Sequence, residues 1–179
     1  GCPFDCTFCS SPEVWGRRIR ERSIPHVIEE LRMLQRRGVK MVMFKDETFT
    51  IKKGRVIEMC HAMIEEGLNL WWTCDTRADC LDAERLAWMR RAGCVQISLG
   101  VESGSEKILR EYSKSLRADA VVEATRLARR HGIAVRHYYI VGGPGESEET
   151  IRETLALIER SRAQRVFVAE LCLLPRTAL

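Results

Sequence analysis

Val95-Gln96-Ile97-Ser98-Leu99-Gly100-Val101-Glu102 alternates apolar and polar residues without a break. As a strand it sends Val95, Ile97, Leu99 and Val101 to one face, and Gln96, Ser98, Gly100 and Glu102 to the other. Its neighbours decide what sheet it belongs to. Upstream, an amphipathic helix near 24–37 gathers Ile24, Val27, Ile28, Leu31 and Leu34 on one side. Ser23 can cap it, Pro25 suits its first turn and Gly38 stops it. The short apolar run Met41-Val42-Met43-Phe44 reads as a buried strand, followed by a helix over 54–66 that ends at Gly67. A strand over 69–74 and a helix over 82–92, with Asp82 as cap and Gly93 as stop, lead into the quoted strand at 95–101. Downstream lie a split helical region over 105–131 stopped by Gly132, a strand over 134–141, a helix over 148–162 and a strand over 165–171.

Strands that alternate with helices make a parallel sheet with right-handed crossovers. A doubly wound sheet and a barrel both satisfy that alternation. The polar row separates them. A strand covered by helices on both faces has no use for Gln96, Ser98 and Glu102 on one side, whereas a strand lining a polar pocket does. Arg136, His137, Tyr138 and Tyr139, in the middle of 134–141, repeat the theme. The sequence therefore favours an α/β fold, a barrel, complete or partial.

The chain has 179 residues, enough for one domain with a sizeable core, and its 45% apolar and 30% charged residues are an ordinary balance. A net charge of +4 is too mild to argue for nucleic acid. The basic runs at Arg17-Arg18, Arg36-Arg37, Arg90-Arg91 and Arg129-Arg130 mostly fall near helix ends, where they favour the dipole and solubility. No run approaches a membrane span and nothing reads as a signal peptide. Eight cysteines imply a reducing, oxygen-poor, cytoplasmic setting. The chemistry-bearing loop starts at once, with no strand before it, so an excised fragment is expected. Its first sheet edge would then be exposed and its solubility poor.

That loop is Gly1-Cys2-Pro3-Phe4-Asp5-Cys6-Thr7-Phe8-Cys9. Three thiolates spaced C-x3-C-x2-C can hold three irons of a cubane cluster and leave the fourth open. A vacant position marks a metal site that binds something. A structural zinc knuckle would need a second Cys or His pair at short spacing, but Cys60, Cys74, Cys80, Cys94 and Cys172 are scattered singly. A Cys6-x-x-Cys9 redox pair would leave Cys2 without a role.

In parallel α/β barrels the active site gathers at the C-terminal ends of the strands. Asp46-Glu47 follow the strand at 41–44, Asp75 and Arg77 the next, Glu102-Ser103-Gly104 the third, and Gly142-Gly143-Pro144-Gly145-Glu146 the fourth, with Glu170 closing the last. The glycine turn lets a ligand approach the backbone, or is an ordinary connection capped by Ser147. Glu102 suits a ribose diol or an ammonium, or else pairs with Arg77 or a lysine. Arg77 can take a ligand carboxylate bidentately. His137 and the tryptophans Trp71, Trp72 and Trp88 read mainly as interior packing, as do Cys60, Cys74 and Cys94.

Cys2-x3-Cys6-x2-Cys9, with Phe8 before the last cysteine, resembles the signature of radical S-adenosylmethionine enzymes. The likeness runs on through Phe44-Lys45-Asp46-Glu47-Thr48-Phe49-Thr50, Gly100-Val101-Glu102-Ser103-Gly104 and Ile140-Val141-Gly142-Gly143-Pro144-Gly145-Glu146. It implies a partial (βα)6 TIM-like barrel lacking its first strand here. Cys2, Cys6 and Cys9 would hold a 4Fe–4S cluster, and S-adenosylmethionine would chelate the open iron. Reductive cleavage would then yield a 5′-deoxyadenosyl radical acting on a small-molecule substrate. The resemblance places Phe8 and the Gly142-Gly143-Pro144 turn by the adenine, and Asp46 or Glu47 by the methionine amine, although the family's Gly-Gly-Glu is absent there. Glu102 and Ser103 would meet the ribose or methionine portion, and Arg77 the carboxylate. Trp72-Thr73-Cys74-Asp75-Thr76-Arg77 and Gly-Val-Glu-Ser-Gly resemble the cobalamin-dependent branch, typified by the anaerobic magnesium-protoporphyrin ester cyclase. This implies a cobalamin domain ahead of residues 1–179, methyl transfer or oxidative cyclisation, and an electron donor such as flavodoxin or ferredoxin. A tRNA methylthiotransferase-like modifier and a non-catalytic iron–sulfur or zinc domain are the alternatives.

Overall fold

A computed structural model describes residues 1–179. Five strands form one wholly parallel sheet in sequence order: β1 (Met41–Phe44), β2 (Trp71–Thr76), β3 (Cys94–Glu102), β4 (Ala134–Val141) and β5 (Arg165–Glu170). The helices are α1 (Ser11–Trp15), α2 (Ile24–Arg36), α3 (Lys53–Glu65), α4 (Ala83–Arg91), α5 (Glu106–Glu111), α6 (Ala118–Arg130) and α7 (Glu148–Ser161), with a 3-10 turn at Ala78–Cys80. A doubly wound sheet reverses its strand order partway across. This one does not, and it forms five consecutive staves of a barrel whose edges are β1 and β5.

The apolar faces close as the periodicity requires. Ile28 and Leu31 of α2, Val56, Met59 and Met63 of α3, Leu86 and Met89 of α4, and Val121, Ala124 and Ala128 of α6 pack against Trp72, Cys74, Ile97, Leu99, Val101 and Val135 of the strands. One continuous core thus lies on the outer face of the sheet. Trp72 is fully buried and its indole N–H donates to the Ala92 carbonyl at 2.8 Å. The opposite, inner face carries Met41, Met43, Trp71 and Phe167, all more than half exposed. No helix is long and apolar enough to cross a membrane.

Several local expectations hold. Asp82 caps α4 by accepting from the Arg85 N–H at 2.8 Å, and Ser147 forms a capping box with Thr150 on α7. Gly93 ends α4 with φ +95, and a Cβ there would stand 2.3 Å from the Leu70 carbonyl oxygen, so no other residue fits. Ser23 sits at the N-cap of α2 but its side chain makes no capping bond.

Other expectations are corrected. The quoted strand is not a single unbroken alternation, because the β2–β3 register shifts between Trp72 and Thr73. Cys94 therefore takes the buried outer position opposite Trp72, and Val95 is only half-buried. The strand placed at 69–74 runs from Trp71 to Thr76, so Asp75 lies inside it rather than beyond its end. Helix α1 and the 3-10 turn had no periodic signal, being too short to show one.

Candidate active site

The cysteine loop lies across the C-terminal ends of the strands. The Cys9 N–H donates to the Cys6 carbonyl at 3.1 Å, folding the loop on itself, and the Cys2 N–H donates to Gly16 at 3.2 Å. The Thr7 N–H donates to the Tyr112 carbonyl at 3.1 Å, which ties the loop to the end of α5. Phe8 meets Tyr112 edge-on with ring centroids 5.2 Å apart, and Phe4 lies under the Arg77 guanidinium at 3.9 Å. The three thiols are free and half-buried.

Charge is arranged around them. Burial pushes the Cys6 thiol up, while Lys114 and Arg77 pull it back down. Burial also raises Cys9, opposed by the backbone N–H of Ser11 and reinforced by Glu47, Cys2 and Glu102. Cys2, Cys6, Cys9, Glu47, Glu102, Lys114 and Arg77 thus sense one another across one mouth. The sequence placed the cysteine loop, Glu47, Arg77 and Glu102 at one mouth, but not Lys114.

Glu102 is the most constrained of them. It is 8% exposed and has φ +66, a left-handed conformation that costs a residue with a side chain about 1–3 kcal/mol. The kink follows a register shift between Gly100 and Glu102 and turns the carboxylate back over the strand. A Cβ on Gly100 would lie 2.6 Å from Glu102 Oε1, so the glycine makes room for that turn. Lys114 Nζ then donates to Glu102 Oε1 at 2.6 Å, and both side chains are at most 10% exposed. Of the two partners left open for Glu102, the lysine is the one found.

Arg77 is not the free fork the sequence suggested. It is buried, its Nε and Nη2 donate to Asp79 at 2.9 and 2.7 Å, and Nη2 also reaches the Ser115 carbonyl at 3.2 Å. Ser103 departs too, because its hydroxyl is within 3.2 Å of Thr154 on α7 and accepts from the Ser105 N–H at 3.1 Å. It fastens the β3–α5 turn, which Gly104 packs so closely on α7 that a Cβ would meet the Glu153 carbonyl oxygen at 2.5 Å. Asp46 and Glu47 are exposed at the mouth, beside the Lys45–Asp75 pair at 2.8 Å. Gly142 and Gly145 adopt φ +82 and +76, and the Glu146 carboxylate accepts from the Gly142 N–H. His137 is an interior residue, with Nε2 at 2.8 Å from Thr125 Oγ1 and Nδ1 at 3.2 Å from the Tyr139 hydroxyl.

Sequence reasoning missed Tyr112, Lys114 and Asp79. Tyr112 sits at helical spacing from Ile108 and reads as core; Lys114 lies in a short polar connection. The signal for Lys114 was Glu102 itself, a carboxylate on a buried strand that needed a cation.

No three His, Cys, Asp or Glu side chains converge tightly enough to hold a single metal ion. A cubane binds each cysteine at a separate iron. Free, half-buried thiols beside two buried cations fit an anionic cluster.

A cavity of about 520 Å³ lies among α2, β1 and α3, lined by Leu31, Phe44, Phe49 and Met59; it reaches Asp46 and Glu47, but none of the three cysteines, Arg77, Glu102 or Lys114 lines it. Comparison with known proteins gives this mouth a lineage. The radical SAM superfamily model matches residues 1–158. An uncharacterized methyltransferase of Pyrococcus horikoshii is 34% identical over 161 residues, 89% of this chain and 35% of its own length. The anaerobic magnesium-protoporphyrin IX monomethyl ester cyclase of Cereibacter sphaeroides is 36% identical over 159 residues, 86% of this chain and 26% of its own. The chain spans 35% of the first relative and 26% of the second. The radical S-adenosylmethionine methyltransferase TsrM of Kitasatospora setae, solved with cobalamin and a 4Fe–4S cluster, superposes with a TM-score of 0.91. That alignment covers 99% of this chain and 36% of that one at 21% identity, a likeness of fold. With its family model matched from the cysteine loop into α7, this chain belongs to the radical S-adenosylmethionine superfamily, as an enzyme domain whose cofactors are a 4Fe–4S cluster and S-adenosylmethionine.

Proposed function

We propose that Cys2, Cys6 and Cys9 hold the cluster and that its open iron takes the amino and carboxylate groups of S-adenosylmethionine. The observation that carries this is the mouth itself, where three free thiols share one electrostatic neighbourhood with Glu47, Glu102, Lys114 and Arg77. When bound, the two cofactors supply reductive cleavage of a carbon–sulfur bond and the hydrogen abstraction that follows.

The chain's own residues bind, orient and exclude water. Phe8 and the Gly142-Gly143-Pro144 turn border the adenine, the turn offering backbone groups. Asp46 or Glu47, exposed at the mouth, faces the methionine ammonium. Glu102 takes a ribose hydroxyl or the methionine portion, and Lys114 fixes its direction. Arg77 acts through charge on the Cys6 side, since Asp79 occupies its fork.

The substrate is a small molecule, and the reaction is methyl transfer or oxidative cyclisation with cobalamin bound by a module ahead of residues 1–179, together with a preceding first strand. The methyltransferase and cyclase relatives support this reading. A flavodoxin- or ferredoxin-like donor would supply the electron, and an oxygen-sensitive cluster suits a reducing cytoplasm. The alternative, a tRNA methylthiotransferase-like modifier, is less well supported, because a net charge of +4 is mild for a chain that holds RNA.

Anaerobic reconstitution with iron and sulfide tests the ligand set. The wild type should bind about four irons per chain, and Cys2→Ala, Cys6→Ala and Cys9→Ala should each lose most of them. Full iron content in any of the three removes that cysteine from the set. Tight stoichiometric zinc in place of iron would sink the proposal.

A further inference from the structure

Tyr112 is fully buried, yet its hydroxyl has no hydrogen-bond partner. Buried polar groups are nearly always paired, and one left unpaired calls for an explanation. Phenylalanine would fill the same space without a desolvated hydroxyl, so packing alone does not account for a tyrosine.

Its surroundings offer the account. The Tyr112 ring packs on Phe8, and its carbonyl accepts from Thr7, both in the cysteine loop. The hydroxyl stands against Gly143 so closely that a Cβ there would be 2.0 Å from the oxygen. Burial, with the charges of Glu146 and Glu102 in its surroundings, pushes this phenol up. One hydroxyl therefore lies between the loop before Cys9 and the glycine turn, the two segments assigned above to the nucleoside end of S-adenosylmethionine. The turn is bounded by glycines with positive φ and is largely exposed, so it can yield to a ligand.

We propose that the Tyr112 hydroxyl donates its hydrogen bond to the adenosyl portion of bound S-adenosylmethionine, the partner it lacks in the ligand-free fold. This rests on the cofactor assignment above. Such a residue penalises the empty site slightly and rewards the filled one, which sharpens selection for the nucleoside over free methionine.

The test uses Tyr112→Phe in the reconstituted, reduced protein, with affinity read by titrating the change in the cluster's electron paramagnetic resonance signal. S-adenosylmethionine should bind about fivefold more weakly, the worth of one neutral hydrogen bond. Free methionine, which can chelate an iron but carries no adenosine, should perturb wild type and variant alike. The ligand-free variant should melt at the same temperature as wild type or higher. Unchanged S-adenosylmethionine affinity in the variant would overturn the proposal alone. So would an equal loss for methionine, which locates the effect at the cluster, or a marked drop in ligand-free melting temperature, which makes the hydroxyl a structural bond. A wild-type signal indifferent to S-adenosylmethionine would overturn it together with the cofactor assignment beneath it.

Discussion

Removing Lys114 should damage this domain more than removing Lys114 and the Glu102 charge together. The Nζ–Oε1 distance is 2.6 Å and the side chains are 5% and 10% exposed. At an effective dielectric of about 20, unit charges at that spacing attract by about 6 kcal/mol. Most of that is offset by the loss of hydration of both groups, so the pair contributes little net stability over an apolar isostere. Breaking one side is different, because Lys114→Met leaves the Glu102 carboxylate buried without a cation. That costs about 3–5 kcal/mol. With a urea slope of about 2 kcal/mol per molar, the unfolding midpoint should fall by about 2 M. Glu102→Gln/Lys114→Met should recover more than half of that fall. Urea titrations of wild type, the two single variants and the double variant, followed by circular dichroism at neutral pH, complete the cycle. A single-variant cost under about 1 kcal/mol, or a double-variant cost equal to the sum of the singles, would refute a coupled buried pair.

Four further outcomes are expected. Gly104→Ala should cost about 1–3 kcal/mol, because its Cβ would meet backbone atoms of Glu153 and Thr154 at 2.5 and 2.6 Å. Gly54→Ala, in α3 with nothing within 4 Å, should instead stabilise by about 0.5–1 kcal/mol, and paired thermal melts of the two variants check both signs. Burial pulls His137 down to about 4, below its ordinary 6.5. The folded state therefore binds fewer protons than the unfolded one between those values, and stability falls as pH drops through that window, by up to about 3 kcal/mol. His137→Gln should flatten that part of the stability–pH curve, and an unchanged slope would show the imidazole is not held neutral. Lastly, Asp46→Asn and Glu47→Gln should separate the carboxylate that meets the methionine ammonium. The responsible one should weaken S-adenosylmethionine binding about tenfold or more, and no loss in either would remove this acidic pair from the site.

The parallel order of the sheet was legible because each strand–helix unit carries its own stop. Gly38, Gly67, Gly93 and Gly132 all adopt positive φ just past a helix, as their positions predict. The polar row of β3 was legible because a strand sorts its residues by face. What the pattern could not show were departures from period two: the bulge that buries Cys94 in place of Val95, and the left-handed turn at Glu102. Both depend on where a neighbouring strand lies, which is a tertiary fact. The cysteine triplet and the ends of the strands gave the mouth, since spacing and topology alone place them. The partners of Glu102 and Arg77 were hidden because charge pairing across 12 residues, or between neighbours such as Arg77 and Asp79, leaves no periodic trace. Ser103 read as a ligand contact through the likeness of Gly100–Gly104; its hydroxyl in fact closes a hydrogen-bonded turn onto α7.

The central claim is that the loop from Cys2 to Cys9 holds a cluster with one iron open to S-adenosylmethionine. Low-temperature electron paramagnetic resonance of the anaerobically reduced protein, with and without S-adenosylmethionine, tests it most directly. The account predicts a reduced cubane signal that shifts when S-adenosylmethionine is added and disappears in Cys6→Ala. A cubane signal that S-adenosylmethionine leaves unchanged, in folded protein, would contradict it.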